Sequence, residues 1–201
     1  MTQAIVPTDV ERAAMREAVD RALTAARQSG KAGIAAAVMQ GDATIATAEN
    51  EVHLQSDPTA HAEMVAIQRA AAALGRTDLK GCTIISTLQP CEMCLAALRF
   101  AGIDRIIFAA TQARVAPKYF MFGHLRIEDF QNGDFAFIGG LEEDRVLHLY
   151  ETGKEYPIYA RRKGSMDAPE QILFEVNLLA EGKSYYQIGD YAISPDDQWV
   201  A

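Results

Sequence analysis

The stretch CTIISTLQPCEMCLAALRFAGIDRIIFAA, residues 82–110, decides how this chain is read. Cys82 to Leu88 is a short apolar run rich in β-branched residues, which reads as a buried strand. It runs straight into Pro90. Proline is favoured in the first helical turn, so a helix is expected from there to about Ala101-Gly102. Asp104 to Ala109 is a second buried strand. Strand, helix and strand joined by short connections imply a parallel pair and an α/β layered fold.

Inside that stretch lies Pro90-Cys91-Glu92-Met93-Cys94, and upstream of it His61-Ala62-Glu63. One histidine and two cysteines supply three zinc ligands. Three protein ligands leave the fourth position of a tetrahedral ion open, as catalytic sites do. His61, Cys91 and Cys94 all fall in the first turn of expected helices. Unpaired N–H groups and the positive end of the helix dipole there favour the thiolate that metal binding needs. Zinc held this way lowers the pKa of a bound water toward about 7. Glu63 sits only two positions after His61 and does not comfortably ligate the same ion, yet it reaches the open position. A carboxylate there takes a proton from the water and delivers it to a ring nitrogen and then to a leaving amine. The chemistry this suits is hydroxide attack on an amidine-like C–NH₂ carbon, with release of ammonia.

Other uses of Cys-x-x-Cys are a redox pair or half of a structural zinc site. The chain has three cysteines, so only Cys82 remains and a four-cysteine site cannot form. A redox pair leaves His-Ala-Glu unexplained. His53, His124 and His148 stand alone and read as surface or hydrogen-bonded core residues.

Working outward, Thr8 and Glu11 form a capping box before a helix whose face carries Met15, Val19, Ala22 and Ala26, ending near Gly30. Ile34 to Met39 and Ala43 to Ala48 read as a hairpin around Gly41-Asp42. Asn50 to Pro58 reads as loop. An alanine-rich helix follows Thr59 and stops near Gly75. Beyond Thr111 the chain is aromatic and glycine-rich. Tyr119, Phe120, Phe122, Phe130, Phe135 and Phe137 crowd one segment, which could stack on a flat base or serve as core. Leu141 to Tyr150 is expected to be helical, Gly153 to Asp167 an exposed connection, and Pro169 to Ala180 a helix. The last residues, among them Tyr185, Tyr186, Ile188, Tyr191 and Trp199, are too apolar for a free tail. The expected division is a domain over 1–164 and an extension over 165–201 that packs on the domain or on a neighbouring subunit.

The chain has 201 residues, 49% of them apolar, enough for a core; its net charge is −8. That acidity argues against affinity built on phosphate contacts. The odd cysteine count, the absence of a secretory pattern in Met1 to Pro7 and the lack of a long apolar window point to a reduced, cytoplasmic protein without a membrane span.

Asp57-Pro58-Thr59-Ala60-His61-Ala62-Glu63 and Thr87-Leu88-Gln89-Pro90-Cys91-Glu92-Met93-Cys94 together resemble the cytidine deaminase-like superfamily. Within it the match is best to the branch of tRNA adenosine deaminases, bacterial guanine deaminases and fungal-type cytosine deaminases. H-x-E followed by P-C-x-x-C is the signature of zinc-dependent base deaminases. The resemblance covers about residues 8–111. It implies a three-layer α/β/α sandwich with a mixed five-stranded sheet. It also implies one Zn²⁺ per subunit on His61, Cys91 and Cys94, with Glu63 as the catalytic proton carrier. Substrate contacts would come from Asn50 and the backbone N–H of Ala62, and the chain would form a homodimer. The expected function is a hydrolytic deaminase of a small nucleobase or nucleoside, of guanine or cytosine type, rather than of nucleic acid. Two other readings stand beside it: a tRNA adenosine-to-inosine deaminase, and a non-catalytic module that keeps zinc for stability.

Overall fold

A computed structural model describes residues 5–29, 33–130, 136–150, 158–163, 170–179 and 191–194. The chain forms two compact units, Met1–Thr152 and Gly153–Ala201. The division falls earlier than the 164/165 boundary expected from sequence.

In the first unit, helix α1 (Asp9–Ser29) opens on the expected capping box. Thr8 N–H donates to Glu11 Oε2 at 2.8 Å, and Glu11 N–H donates to Thr8 Oγ1 at 3.2 Å. Strands β1 (Ala35–Gln40) and β2 (Ala43–Glu49) form the hairpin, turning at Gly41 with φ +56. A short helix α2 (Val52–Gln55) occupies part of the expected loop. None of its residues is buried, so no apolar face announced it. Helix α3 (Ala62–Leu74) ends on left-handed Gly75, as the sequence predicts. Strand β3 (Cys82–Leu88), helix α4 (Glu92–Phe100) and strand β4 (Arg105–Ala110) follow as the opening stretch requires.

The sheet runs β2-β1-β3-β4-β5, with β5 at Ala136–Ile138. β1 is antiparallel to β2 and β3, while β3, β4 and β5 are parallel. This is the mixed five-stranded sheet expected. Ile84 and Ile85 pair with Ile106 and Ile107, and all four are fully buried. Successive buried residues on one strand mean that both sheet faces are covered. Helix α1 packs on β1 and β3, and α3 packs on β1 and β2 with α4 beside it. Arg105 Nε donates to Glu11 Oε1 at 2.7 Å, which ties the start of α1 to the start of β4.

Between β4 and β5 the chain makes three 3₁₀ turns, Gln112–Arg114, Pro117–Tyr119 and Ile127–Phe130. Of the aromatic residues in this segment, Phe120 is buried in the core and Phe130 and Phe137 pack against it; Phe135 lies outside the described residues. The helix expected over 141–150 is shorter. Helix α5 covers Glu143–Val146 and a 3₁₀ turn covers Leu147–Leu149. Glu142 sits in the left-handed region at φ +62, which stops helix from starting at Leu141.

The second unit corrects two expectations. Strand β6 (Ile158–Arg162) lies within the supposed connection, and strand β7 (Glu170–Glu175) replaces the first half of the supposed helix. Only Val176–Leu179 is helical, as α6. β6 and β7 are antiparallel, pairing Ile158 with Glu175 and Arg162 with Glu170. A short apolar run fits a helix or a strand equally well, and here the partner strand decides. Phe174 meets Tyr191 edge-on at 5.6 Å. Tyr185, Tyr186, Ile188 and Trp199 lie outside the described residues.

Candidate metal centre and active site

Two helices begin at one place. His61 is the N-cap of α3 and Cys91 the N-cap of α4, both extended, and Cys94 stands in the first turn of α4. Neither N-cap side chain bonds its own helix, so the imidazole and the thiol can turn toward one another. His61 Nδ1 lies 3.6 Å from Cys91 Sγ and 3.6 Å from Cys94 Sγ, and the sulfurs are 3.6 Å apart. A tetrahedron with that edge has its centre about 2.2 Å from each corner, between the usual zinc–nitrogen and zinc–sulfur lengths. The donor set therefore fits a zinc ion. It is the one group of three metal-type donors among the described residues.

The electrostatics suit a cation. Hydrogen bonding from Cys94, and then from His61, holds the Cys91 thiol down to about 4 despite its burial. His61 is raised above its ordinary value, first by its hydrogen bond with Cys91. Both helix N-termini add positive partial charge that favours a thiolate here.

Glu63 is only 3% exposed, and burial pushes its carboxyl above the usual range. Ser86 Oγ, fully buried on β3, donates to Glu63 Oε1 at 2.9 Å, and Cys94 Sγ stands 3.5 Å from Oε2. The carboxylate is thus held between the central strand and the metal triad. The side-chain role of Ser86 escaped the sequence reading. Its signal was weak, since Ser86 is one of three hydroxyl residues in the strand, with Thr83 and Thr87.

A narrow cleft opens over this group, lined by Ile34, Asn50, His61, Glu63, Leu88, Gln89, Cys91 and Tyr119. Asn50 is among the cleft residues. Val52 N–H donates to its Oδ1 at 3.2 Å, which leaves the amide NH₂ as the donor on that wall. Gln89 is tied to Gln112 at both ends of its amide, its Oε1 accepting Gln112 N–H at 3.0 Å and its Nε2 donating to Gln112 Oε1 at 3.4 Å. Ala62 is fully buried and does not line the cleft. Ile34, Leu88, Gln89 and Tyr119 were not anticipated individually, because strand ends and a distant loop bring them together. A larger groove between α1 and the β1–β2 hairpin holds no metal-type cluster and is not where the chemistry sits.

Fold and triad define a protein whose His61, Cys91 and Cys94 would hold a metal ion and would leave the fourth position of a tetrahedral ion to water or substrate. Residues 8–110 match the model of the cytidine and deoxycytidylate deaminase zinc-binding region, and the chain belongs to that family. The tRNA-specific adenosine deaminase of Aquifex aeolicus is 40% identical over 83 residues, 41% of this chain and 55% of that protein. The guanine deaminase of Bacillus subtilis is 36% identical over 104 residues, 50% of this chain and 67% of that protein. A solved structure from a study of A-to-I editing by tRNA:A34 deaminases superposes with a TM-score of 0.58 at 30% identity, covering 67% of this chain and 96% of the other. The chain spans 20% to 67% of the length of the first curated relatives it matches. A separate likeness covers the end of the chain. Residues 147–201 match the model of the prolyl oligopeptidase N-terminal β-propeller domain. Dipeptidyl aminopeptidase BI of Pseudoxanthomonas mexicana is 39% identical over 67 residues, 26% of this chain and 9% of that protein. No helix among the described residues is long and apolar enough to cross a membrane.

Proposed function

We propose that this chain is a zinc-dependent hydrolytic deaminase of a small nucleobase or nucleoside, releasing ammonia from an exocyclic amine. The observation that carries the reading is Glu63, a buried carboxylate positioned by Ser86 beside the His61–Cys91–Cys94 triad. When bound, zinc supplies the Lewis acidity that makes water nucleophilic at neutral pH. Glu63 accepts the proton that the attacking water gives up. It delivers that proton to the ring nitrogen, then carries the second proton, from the hydroxyl now on the carbon, to the departing amine, so water and an amine become a carbonyl and ammonia. Burial suits this role, because it raises the carboxyl above its usual range and so strengthens it as a proton acceptor. Asn50 presents an amide NH₂ donor, which matches a ring carbonyl oxygen or ring nitrogen of a base.

The narrowness of the cleft and the net charge of −8 favour a small substrate over nucleic acid. A tRNA adenosine deaminase is the second reading, favoured by the likeness to tRNA-specific relatives. A non-catalytic module is disfavoured by the intact and oriented Glu63. Homodimer formation is supported by an apolar stripe on α4, where Met93, Ala96, Ala97 and Phe100 follow helical spacing and Phe100 is 94% exposed. A cytoplasmic setting is part of the same proposal.

Zinc-loaded protein incubated with guanine, cytosine, adenine and their nucleosides is expected to release ammonia from at least one. No release from the panel, together with salt-sensitive RNA binding and inosine formation in tRNA, would replace this reading with the second.

A further inference from the structure

Tyr150 is fully buried near the end of the first unit, 63 residues beyond Thr87 in sequence. Its hydroxyl donates to the Gly33 carbonyl at 2.7 Å. Since that uses its only proton, the 2.9 Å contact with Thr87 Oγ1 has Thr87 donating to Tyr150, while Thr87 Oγ1 accepts Ala35 N–H at 3.0 Å. The backbone carbonyl of Tyr150 accepts Ala116 N–H at 2.8 Å, and its ring meets Tyr119 edge-on at 5.7 Å. Each group that Tyr150 holds adjoins the cleft. Gly33 precedes Ile34, Thr87 precedes Leu88, and Tyr119 is itself a wall. A Cβ at Gly33 would collide with the Ala22 carbonyl oxygen, so this end of β1 has no slack on its other side.

We propose that Tyr150 is a positioning residue for substrate selection, fixing Tyr119 and the ends of β1 and β3 as the walls that receive the base. The proposal rests on the deaminase reading above. Tyr150 falls inside the stretch that is similar to a propeller protein, yet it belongs to the first unit and bonds there to Gly33 and Thr87, behind the cleft. The usable end of the deaminase unit therefore lies beyond the family-matched residues.

The test uses the full-length, zinc-loaded protein and the base it turns over best. Tyr150→Leu is expected to raise KM about tenfold with kcat changed less than about threefold and zinc content unchanged, as a loss of binding shared by ground and transition states requires. Tyr150→Phe keeps the ring edge and loses the hydroxyl, so its KM is expected to rise about two- to fivefold. In a Tyr119→Ala background, Tyr150→Leu should add little, because the two act through one wall. An equal KM factor in both backgrounds, or a lowered Tm with KM unchanged, would overturn the proposal. If Tyr150→Leu does not fold, Tyr150→Phe decides alone, and an unchanged KM rejects it. If the wild-type protein deaminates none of the bases, the functional reading fails separately. NMR of ¹³C-tyrosine-labelled protein then reads the positioning directly: a shifted Tyr119 ring signal in Tyr150→Phe supports it, and an unmoved one rejects it.

Discussion

The metal cradle and the pocket wall lie against each other but are built in opposite ways. His61, Cys91, Glu63 and Cys94 come from two helix starts, and their spacing along the chain is almost sufficient to place them. The wall, from Tyr119 to Tyr150, is held by bonds to Gly33 and Thr87 that no local pattern encodes. On the proposed function, chemistry falls to the part with short-range determinants and substrate fit to the part with long-range ones, so the two should respond differently to mutation.

The largest effects belong to the cradle. Cys91→Ser is expected to abolish bound zinc, measured by metal analysis, and activity with it. Glu63→Gln should keep the zinc while lowering kcat by about 10²–10⁴, the usual contribution of a positioned acid–base group. Loss of zinc in Glu63→Gln would show that Glu63 belongs to the metal set and would blur the comparison.

Effects at the wall should be smaller and fall on stability and substrate fit. Replacing fully buried Tyr150 by Leu removes a ring contact and leaves the Gly33 carbonyl without its donor. A cost of about 2–4 kcal/mol is expected, readable by urea unfolding. Zinc content should not move.

Glu11, remote from the zinc triad, calibrates the comparison. Its hydrogen bond from Arg105, with Thr8 assisting, holds its carboxyl below the ordinary value. A depressed folded-state pKa stabilises the protein above the unfolded pKa, and that stabilisation is lost as pH falls through the folded value. Glu11→Gln is therefore expected to cost about 1–2 kcal/mol at neutral pH, with the difference from wild type shrinking on acidification below about 4. Parallel urea titrations at both pH values would show it, and kcat and KM should stay put.

The smallest effect is expected in the second unit. Phe174→Ala removes the edge contact with Tyr191 and should leave zinc content, kcat and KM unchanged. A changed KM would mean that the second unit takes part in the pocket, and the division between cradle and wall would need a third member.

Much of the first unit is legible in its residue pattern. The apolar runs at 82–88 and 104–109 around a proline-started helix predict a parallel pair, and they form one. Thr8 and Glu11 announce their capping box. The strands at 158–162 and 170–175 are not legible, because a five- or six-residue run has no decisive period and is settled by its hydrogen-bonded partner. Ser86 does not stand out in a strand that also carries Thr83 and Thr87, and its partnership with Glu63 exists only in space.

Sequence by itself determined the His61–Cys91–Cys94 donor group and the neighbouring Glu63 carboxylate. Each depends on side-chain type at a fixed spacing from a helix start, and helix geometry converts that spacing into distance. Only tertiary structure decided which residues close the pocket. Ile34, Leu88, Gln89 and Tyr119 converge through strand pairing and through one buried tyrosine, and the free energy that selects those contacts comes from packing between distant segments.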